Sequence, residues 1–193
     1  MNAETLANDL LMNFGGVEKN SLNNVLQIES SHDNKSEAFT PSHYYDIDSF
    51  IEISKRSHHK FQTLSINIES INAKFNQLRT LVELLDQSNC YIDAFFIQET
   101  WLSDAQCDSK IIEQYLIPGY HTISLGHKCG RKGGLIIYLK DIYSYSLRDL
   151  YTPSSIWEGL FIDVTHKNSE LLPNKYTLAN VYRPRVTITL SPP

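Results

Sequence analysis

Hydrophobic and polar positions follow two different periods along the chain from residue 61 onward. FQTLSINI, residues 61–68, places apolar side chains at alternate positions, which is typical of a half-buried strand. NAKFNQLRTLVELLDQ then has apolar residues at helical spacing, which predicts an amphipathic helix with Asn72 as its N-cap. YIDAFFIQET is more continuously apolar and predicts a buried strand. This order indicates two parallel strands joined by a right-handed helical crossover.

Strands dominate the pattern after residue 116. IPGYHTIS offers a Pro-Gly turn that leads into a strand, and GHKCGRKGG separates this strand from LIIYLK in the pattern of a hairpin with a long basic loop. IWEGLFIDVT and KYTLANVY predict two more strands. Between Trp101 and Tyr115 we expect a loop with a helical turn. The fold class that follows is mixed α/β.

The front of the chain lacks such a pattern. Residues 13–42 are rich in Asn, Ser, Glu and Lys, which predicts a mobile segment after a short helix around Glu4 to Met12. HYYDIDSFIEI, from His43, is either a short docking segment or part of the first layer of the domain.

The distribution of charge changes the meaning of the net charge of -5. Residues 1–59 hold 9 acidic and 4 basic side chains, whereas residues 60–193 hold 13 of each. The folded part is therefore neutral, and a nucleic-acid partner is not excluded.

Cysteine usage and the first residues bear on the compartment. The three cysteines include no C-x-x-C pair, which fits a reducing compartment rather than a disulfide framework or a zinc site. The start lacks a signal-peptide pattern, and no apolar run approaches the ~20 residues of a membrane helix. We expect an intracellular protein that is not secreted.

Two polar residues follow the predicted parallel strands. Glu99 comes at the end of the buried strand and Asn67 at the end of the preceding one. Ends of adjacent parallel strands lie close together, and carboxylate and amide oxygens suit Mg²⁺. The alternatives are a solvated glutamate and an asparagine that starts a helix or forms an Asx-turn.

The predicted hairpin loop carries three cations, Lys128, Arg131 and Lys132. It does not match a P-loop, because the G-x-x-x-x-G-K-[ST] pattern is absent and a strand follows instead of a helix. The loop is either an ordinary solvated connection or a contact to a nucleic-acid backbone.

Taken in order, LSINIESINAKFNQL, FFIQETWL, PGYHTIS, RKGGLIIYLK, WEGLFIDV and LANVYRP resemble the endonuclease domain of LINE-type (non-LTR) retrotransposons. This domain belongs to the endonuclease/exonuclease/phosphatase superfamily. The resemblance covers residues 43–184, with QETWL and NVYRP as the most specific blocks, and leaves residues 1–42 and 185–193 outside. It implies a four-layer α/β sandwich that nicks one DNA strand with Mg²⁺, with Mn²⁺ as the alternative ion.

The resemblance also assigns roles to single residues. Glu99 matches the metal-binding glutamate of the family and Asn67 the asparagine beside it. Tyr182 matches a tyrosine near the scissile phosphate, and Arg183 a phosphate contact. A reverse transcriptase domain is expected in the full-length parent, and a nuclear location if the protein is functional. The chemistry fits, because a divalent ion stabilises the charge of a phosphodiester in transit.

The chain departs from the family at several points. Glu69 stands where the family often has arginine, and the G-D-x-N and S-D-H blocks that complete the family site are absent from the sequence. We therefore expect an incomplete sandwich that is inactive alone and self-associates through an exposed sheet. One alternative is an inactive retroelement remnant with weak metal or nucleic-acid binding. Another is an abasic-site nuclease, or an inositol-phosphate or sphingomyelin phosphodiesterase, of the same superfamily.

Overall fold

Helices and strands alternate in the first half of the described chain, and strands dominate the second half. The computed structural model describes residues 47–56, 61–108, 110–127, 133–148, 157–168 and 175–183. The helices are α1 (Ile47–Arg56), α2 (Ile71–Gln87), the short α3 (Asp104–Cys107) and a 3-10 helix (Lys110–Tyr115). The strands are β1 (Thr63–Asn67), β2 (Ala94–Gln98), β3 (Tyr120–Leu125), β4 (Leu135–Lys140), β5 (Tyr143–Leu147), β6 (Glu158–His166) and β7 (Tyr176–Tyr182).

The predicted β1, α2 and β2 unit is confirmed, with β1 and β2 parallel. The N-cap prediction is wrong: α2 begins at Ile71, and Ser70 occupies the N-cap position without a side-chain cap bond. The backbone explains this, because the N–H groups of Ser70 and Ile71 donate to the carbonyls of Glu99 and Thr100 at 2.8 and 3.0 Å. Tertiary contacts thus satisfy two of the N–H groups at this helix end that have no partner within the helix.

The strands form two sheets. The first has the order β1-β2-β4-β3 and includes the predicted antiparallel hairpin of β3 and β4, while the second is antiparallel with the order β5-β6-β7. Strand β5 was not predicted. Its sequence, YSYSL, does alternate, but the two residues that separate it from β4 include no glycine or proline to mark the break.

The first sheet is covered on both faces. Side chains of one face share a buried cluster with residues of α1, α2 and the segment after the 3-10 helix. Phe95 and Tyr138 of the sheet belong to it together with Ile51, Leu81 and Ile117. The other face packs against the second sheet and buries residues such as Ile137 and Ile162. Helices, first sheet and second sheet are therefore three layers, and the fourth layer stays a prediction.

Helix α1 answers the question that HYYDIDSFIEI raised. Ile47 and Ile51 are 2% and 9% exposed in the core beneath the helices, so residues 47–56 belong to the first layer. None of the helices in the described part of the chain has the length and apolar character that a bilayer crossing requires. The predictions for residues 1–42 and 185–193 lie outside the described residues.

Candidate functional site

Glu99 and Asn67 meet because β1 and β2 run parallel. Asn67 is paired with Gln98, the last residue of β2, and Glu99 follows directly. The Asn67 amide Nδ2 donates to Glu99 Oε1 at 2.9 Å. Asn67 Oδ1 also accepts from the N–H of Glu69 at 3.3 Å, as in an Asx-turn. The Asn67 side chain therefore makes both predicted contacts: it forms the Asx-turn and it lies beside Glu99.

Tyr182, at the end of β7, brings the second sheet to the same carboxylate. Its hydroxyl donates to Glu99 Oε1 at 2.8 Å, across a separation of 83 residues in sequence. Both donors thus reach one oxygen of Glu99, and Oε2 takes part in neither bond. Two donors on one oxygen orient the carboxylate while its other oxygen keeps its lone pairs for a further partner.

Asn180 fixes the position of β7 relative to the first sheet through hydrogen bonds. It is 1% exposed, and its Nδ2 donates to the carbonyls of Ile97 and Ile136 at 3.0 and 3.1 Å. Gln98 Nε2 in turn donates to Asn180 Oδ1 at 3.3 Å. Tyr182 lies two residues beyond Asn180 on the same face of the strand, so this contact places the tyrosine hydroxyl over Glu99. Asn180 was not among the predicted site residues, although it is the first residue of the NVYRP block.

Residues 99–102 form a connection that we call the ETWL strap. Glu99 and Trp101 have φ angles of 54° and 60°, in the left-handed region that non-glycine residues rarely adopt. The strap is hydrogen-bonded to the start of α2 on one side, as described above. On its other side the N–H groups of Thr100 and Trp101 donate to the carbonyls of Gly134 and Gly133 at 3.1 and 2.8 Å. These bonds hold a strained backbone in one conformation.

A second carboxylate, Glu158, lies beside the strap. Its Oε2 accepts from the N–H of Gly134 at 2.7 Å, and β6 pairs it with Tyr182. Gly133 has a φ of 117°, and a Cβ there would lie 2.6 Å from Glu158 Oε1. The Glu158 side chain could move away from such a Cβ, but the φ angle itself favours glycine at this position. Sequence reasoning missed Glu158, whose one signal was its position at the start of the WEGLFIDV block.

The predicted basic contacts are placed only in part. Arg183 is exposed directly after β7, one residue beyond Tyr182. Lys128, Arg131 and Lys132 lie outside the described residues. Glu69, the departure from the family pattern, has Oε2 3.6 Å from Lys74 Nζ and is thus within reach of a cation of the following helix, α2.

The donor set suits a water-rich magnesium site more than a closed protein cage. Within the described ranges no three His, Cys, Asp or Glu side chains come together as metal ligands. Mg²⁺ is commonly held by one or two carboxylates with several waters, and it takes oxygen ligands. Glu99 Oε2 and Asn67 Oδ1 are hard oxygens of this kind, so the residues present fit Mg²⁺ or Mn²⁺ as a partly hydrated ion.

Comparison with known proteins adds little at this point. No protein-family model and no curated protein matches the chain. Among solved structures, that of ANGEL2, a 2',3'-cyclic phosphatase, is similar over 55% of this chain and 37% of that chain, with 16% identity and a TM-score of 0.33. The chain thus matches little more than a third of ANGEL2. At this TM-score no argument about fold or function is built on the similarity.

Proposed function

We propose that the chain is a phosphodiester hydrolase domain of the endonuclease/exonuclease/phosphatase type, derived from a Mg²⁺-dependent DNA-nicking endonuclease of a LINE-type element. The observation that carries the proposal is the hydrogen-bonded contact of Glu99 with Asn67 and Tyr182. These residues lie 32 and 83 positions from Glu99 in the sequence. The four-layer sandwich belongs to the same proposal.

In this proposal Glu99 and Asn67 hold the ion through their side-chain oxygens. When bound, Mg²⁺ would stabilise the charge of the phosphoryl group and lower the pKa of a coordinated water. Asn67 and Tyr182 keep Glu99 in a single orientation through their bonds to Oε1. With a phosphate bound, the single O–H of Tyr182 would turn from Glu99 Oε1 to a phosphate oxygen, while Asn67 keeps its bond to Oε1. Exposed Arg183 would neutralise the neighbouring phosphate.

A second candidate is the catalytically inactive remnant. The observation that favours it is the ligand set: within the described residues no three His, Cys, Asp or Glu side chains come together, and the sequence contains neither the G-D-x-N nor the S-D-H block that would supply groups to activate water. Both candidates share the metal site and differ in cleavage. We expect the second for this chain alone, with weak binding of Mg²⁺ and DNA and no cutting.

DNA is the proposed partner, since the basic residues Lys128, Arg131, Lys132 and Arg183 are suited to phosphates. Self-association is also proposed, because Tyr145, Leu147 and Val181 of the second sheet are 39%, 62% and 45% exposed. A reverse transcriptase domain in a longer parent and a nuclear location complete the proposal.

The first test measures binding of Mg²⁺ and Mn²⁺ by titration calorimetry. We expect the unsubstituted chain to bind the ion and Glu99→Gln to lose binding, because glutamine keeps the shape of the side chain and removes its charge. Glu83→Gln is the matched control, as Glu83 is an exposed residue of α2 that pairs with Arg79 at 3.5 Å. Equal binding by both variants would overturn the metal site.

The second test separates the two candidates. Supercoiled plasmid is incubated with the chain in Mg²⁺ and then in Mn²⁺, and relaxed circles are counted. Metal binding without relaxation favours the inactive form of the domain. Relaxation that Glu99→Gln abolishes and Glu83→Gln leaves intact favours the enzyme, against our expectation for this chain alone.

A further inference from the structure

Trp101, two residues from Glu99, has a large apolar side chain that is exposed to solvent. It is 39% exposed, whereas its neighbours Thr100 and Leu102 are 1% and 3% exposed. The ETWL strap therefore buries a hydroxyl-bearing side chain and a leucine and leaves the indole outside. Burial of apolar area alone would favour the opposite arrangement of Thr100 and Trp101.

The position of this indole is not a consequence of a loose loop. A bulky residue with a φ of 60° is a real conformational outlier, and the N–H of Trp101 is fixed at 2.8 Å from the carbonyl of Gly133. The next carbonyl, of Leu102, accepts from the N–H of His127 at 2.8 Å. Strained conformations persist where the surroundings determine them, and they concentrate at ligand sites. The exposed ring is thus pre-positioned.

We propose that Trp101 is a stacking platform for a nucleobase beside a phosphodiester held at Glu99. This inference rests on the proposed function, which supplies the phosphate. Two residues span at most roughly 7 Å, and successive nucleotides of a strand are spaced by roughly 3.4 Å, so a base next to the bound phosphate lies within reach of the ring. The ligand is an unstacked base of any kind, because every base has a π face.

Fluorescence tests the stacking directly. The chain contains two tryptophans, so Trp157→Phe leaves Trp101 as the single indole. Trp157 packs edge-on against Phe161 at 6.3 Å and takes part in none of the contacts with Glu99 described above. The probe is a short oligothymidylate, compared with a strand of equal length that carries abasic deoxyribose at every position. Both present the same phosphates, and one lacks bases.

We expect oligothymidylate to quench Trp101 and to bind about tenfold more tightly than the abasic strand. Equal quenching by the two strands, or quenching by neither, overturns the stacking platform. If Trp157→Phe fails to fold by circular dichroism, the unsubstituted chain gives the same comparison with Trp157 as a background. The readout uses the native Trp101, so it does not depend on a variant of that residue.

Two further variants separate this inference from the proposed function. Trp101→Phe keeps an aromatic face and is expected to retain most of the preference for bases, whereas Trp101→Ala is expected to lose it. Mg²⁺ binding should be unchanged in both. Loss of base preference with intact metal binding supports the platform. Base-dependent quenching in a chain that binds no Mg²⁺ means that the proposed function fails while the platform stands.

Discussion

Two tyrosine-carboxylate pairs link the two sheets, one at each end of the parallel strands. At the amino ends of β1 and β2, the Tyr143 hydroxyl donates to Asp93 Oδ1 at 2.9 Å. At their carboxyl ends, the Tyr182 hydroxyl donates to Glu99 Oε1 at 2.8 Å. The groups and the distances are alike. The hydrogen bond alone therefore does not tell a structural contact from a candidate site.

The surroundings of the two tyrosine-carboxylate pairs differ, and these differences distinguish the structural contact from the candidate site. Asp93 uses its other oxygen as well, since Oδ2 accepts from the N–H of Gln62 at 2.7 Å, and Tyr143 is 3% exposed. Glu99 leaves Oε2 outside both of its bonds described above, and Tyr182 is half-buried.

Backbone strain separates the ends further. Among the described non-glycine residues with positive φ, all but Asn89 lie at the Glu99 end: Glu69, Ser70, Glu99 and Trp101. A satisfied carboxylate on relaxed backbone indicates stability, and a strained one with an oxygen outside its bonds indicates a site.

The largest effect is expected when the Glu99 end loses the contact that aligns the sheets. Asn180→Ala leaves the buried carbonyls of Ile97 and Ile136 without this donor and should lower the free energy of unfolding by about 3 kcal/mol. Urea unfolding measures it. Asn76→Ala, at an exposed position of α2, should change stability by under ~0.5 kcal/mol. A comparable loss in the two variants would mean that Asn180 does not hold the sheets together.

The second-largest effect is expected when the Tyr143 hydroxyl is removed at the Asp93 end. Tyr143→Phe leaves Asp93 Oδ1 without its donor beneath the second sheet and should lower the free energy of unfolding by about 2 kcal/mol. Mg²⁺ binding should not change, because this end holds no part of the candidate site. Weaker Mg²⁺ binding in folded Tyr143→Phe would show that the two ends are not independent.

The stability at alkaline pH tests the same pair, because it depends on the proton of the Tyr143 hydroxyl. Burial, and after it the charge of Asp93, raises the pKa of Tyr143, whereas tyrosines of the unfolded chain titrate near ~10. Above that pH the unfolded chain binds fewer protons than the folded one, so stability falls as pH rises. Tyr143→Phe should make the decline shallower by up to about 1.4 kcal/mol per pH unit. Parallel curves for the two proteins would contradict a retained proton on Tyr143.

The fold could be predicted from sequence wherever the period was local. The alternation in β1, the helical spacing in α2 and the basic connection between β3 and β4 each indicated their element. Strand β5 was not predicted because the chain passes from one sheet to the other within two residues, neither of them glycine or proline. The start of α2 was misplaced because carbonyls of the distant ETWL strap accept from the N–H groups of Ser70 and Ile71, and these contacts leave no local pattern.

The candidate site was less accessible to the same reasoning. Parallel strand ends suggested that Asn67 and Glu99 would be neighbours, while Tyr182 entered only through the family resemblance. Asn180 and Glu158 were missed, since their partners are backbone groups far away in sequence, which side-chain patterns do not reveal.

A pair of substitutions at each carboxylate compares the strain at the two ends. Glu99→Gly and Glu99→Ala both remove the carboxylate, but glycine accepts a φ of 54° without a Cβ clash, so it should be the more stable variant by about 1 kcal/mol. At Asp93, where φ is not positive, alanine should be equal to glycine or more stable. Thermal unfolding of the four variants gives both differences. The same sign at both positions would remove the strain argument.

The smallest effect tests the comparison most closely, because it repeats one substitution at both ends. Tyr182→Phe removes a hydroxyl from Glu99 Oε1, but Asn67 still donates to that oxygen and water reaches the half-buried pair. We expect a loss of about 0.5 kcal/mol in unfolding free energy, well below the loss for Tyr143→Phe. A loss as large as that of Tyr143→Phe would mean that Tyr182 and Glu99 form a second structural contact. A small loss combined with weaker binding of oligothymidylate would instead locate the role of the Tyr182 hydroxyl at the phosphate.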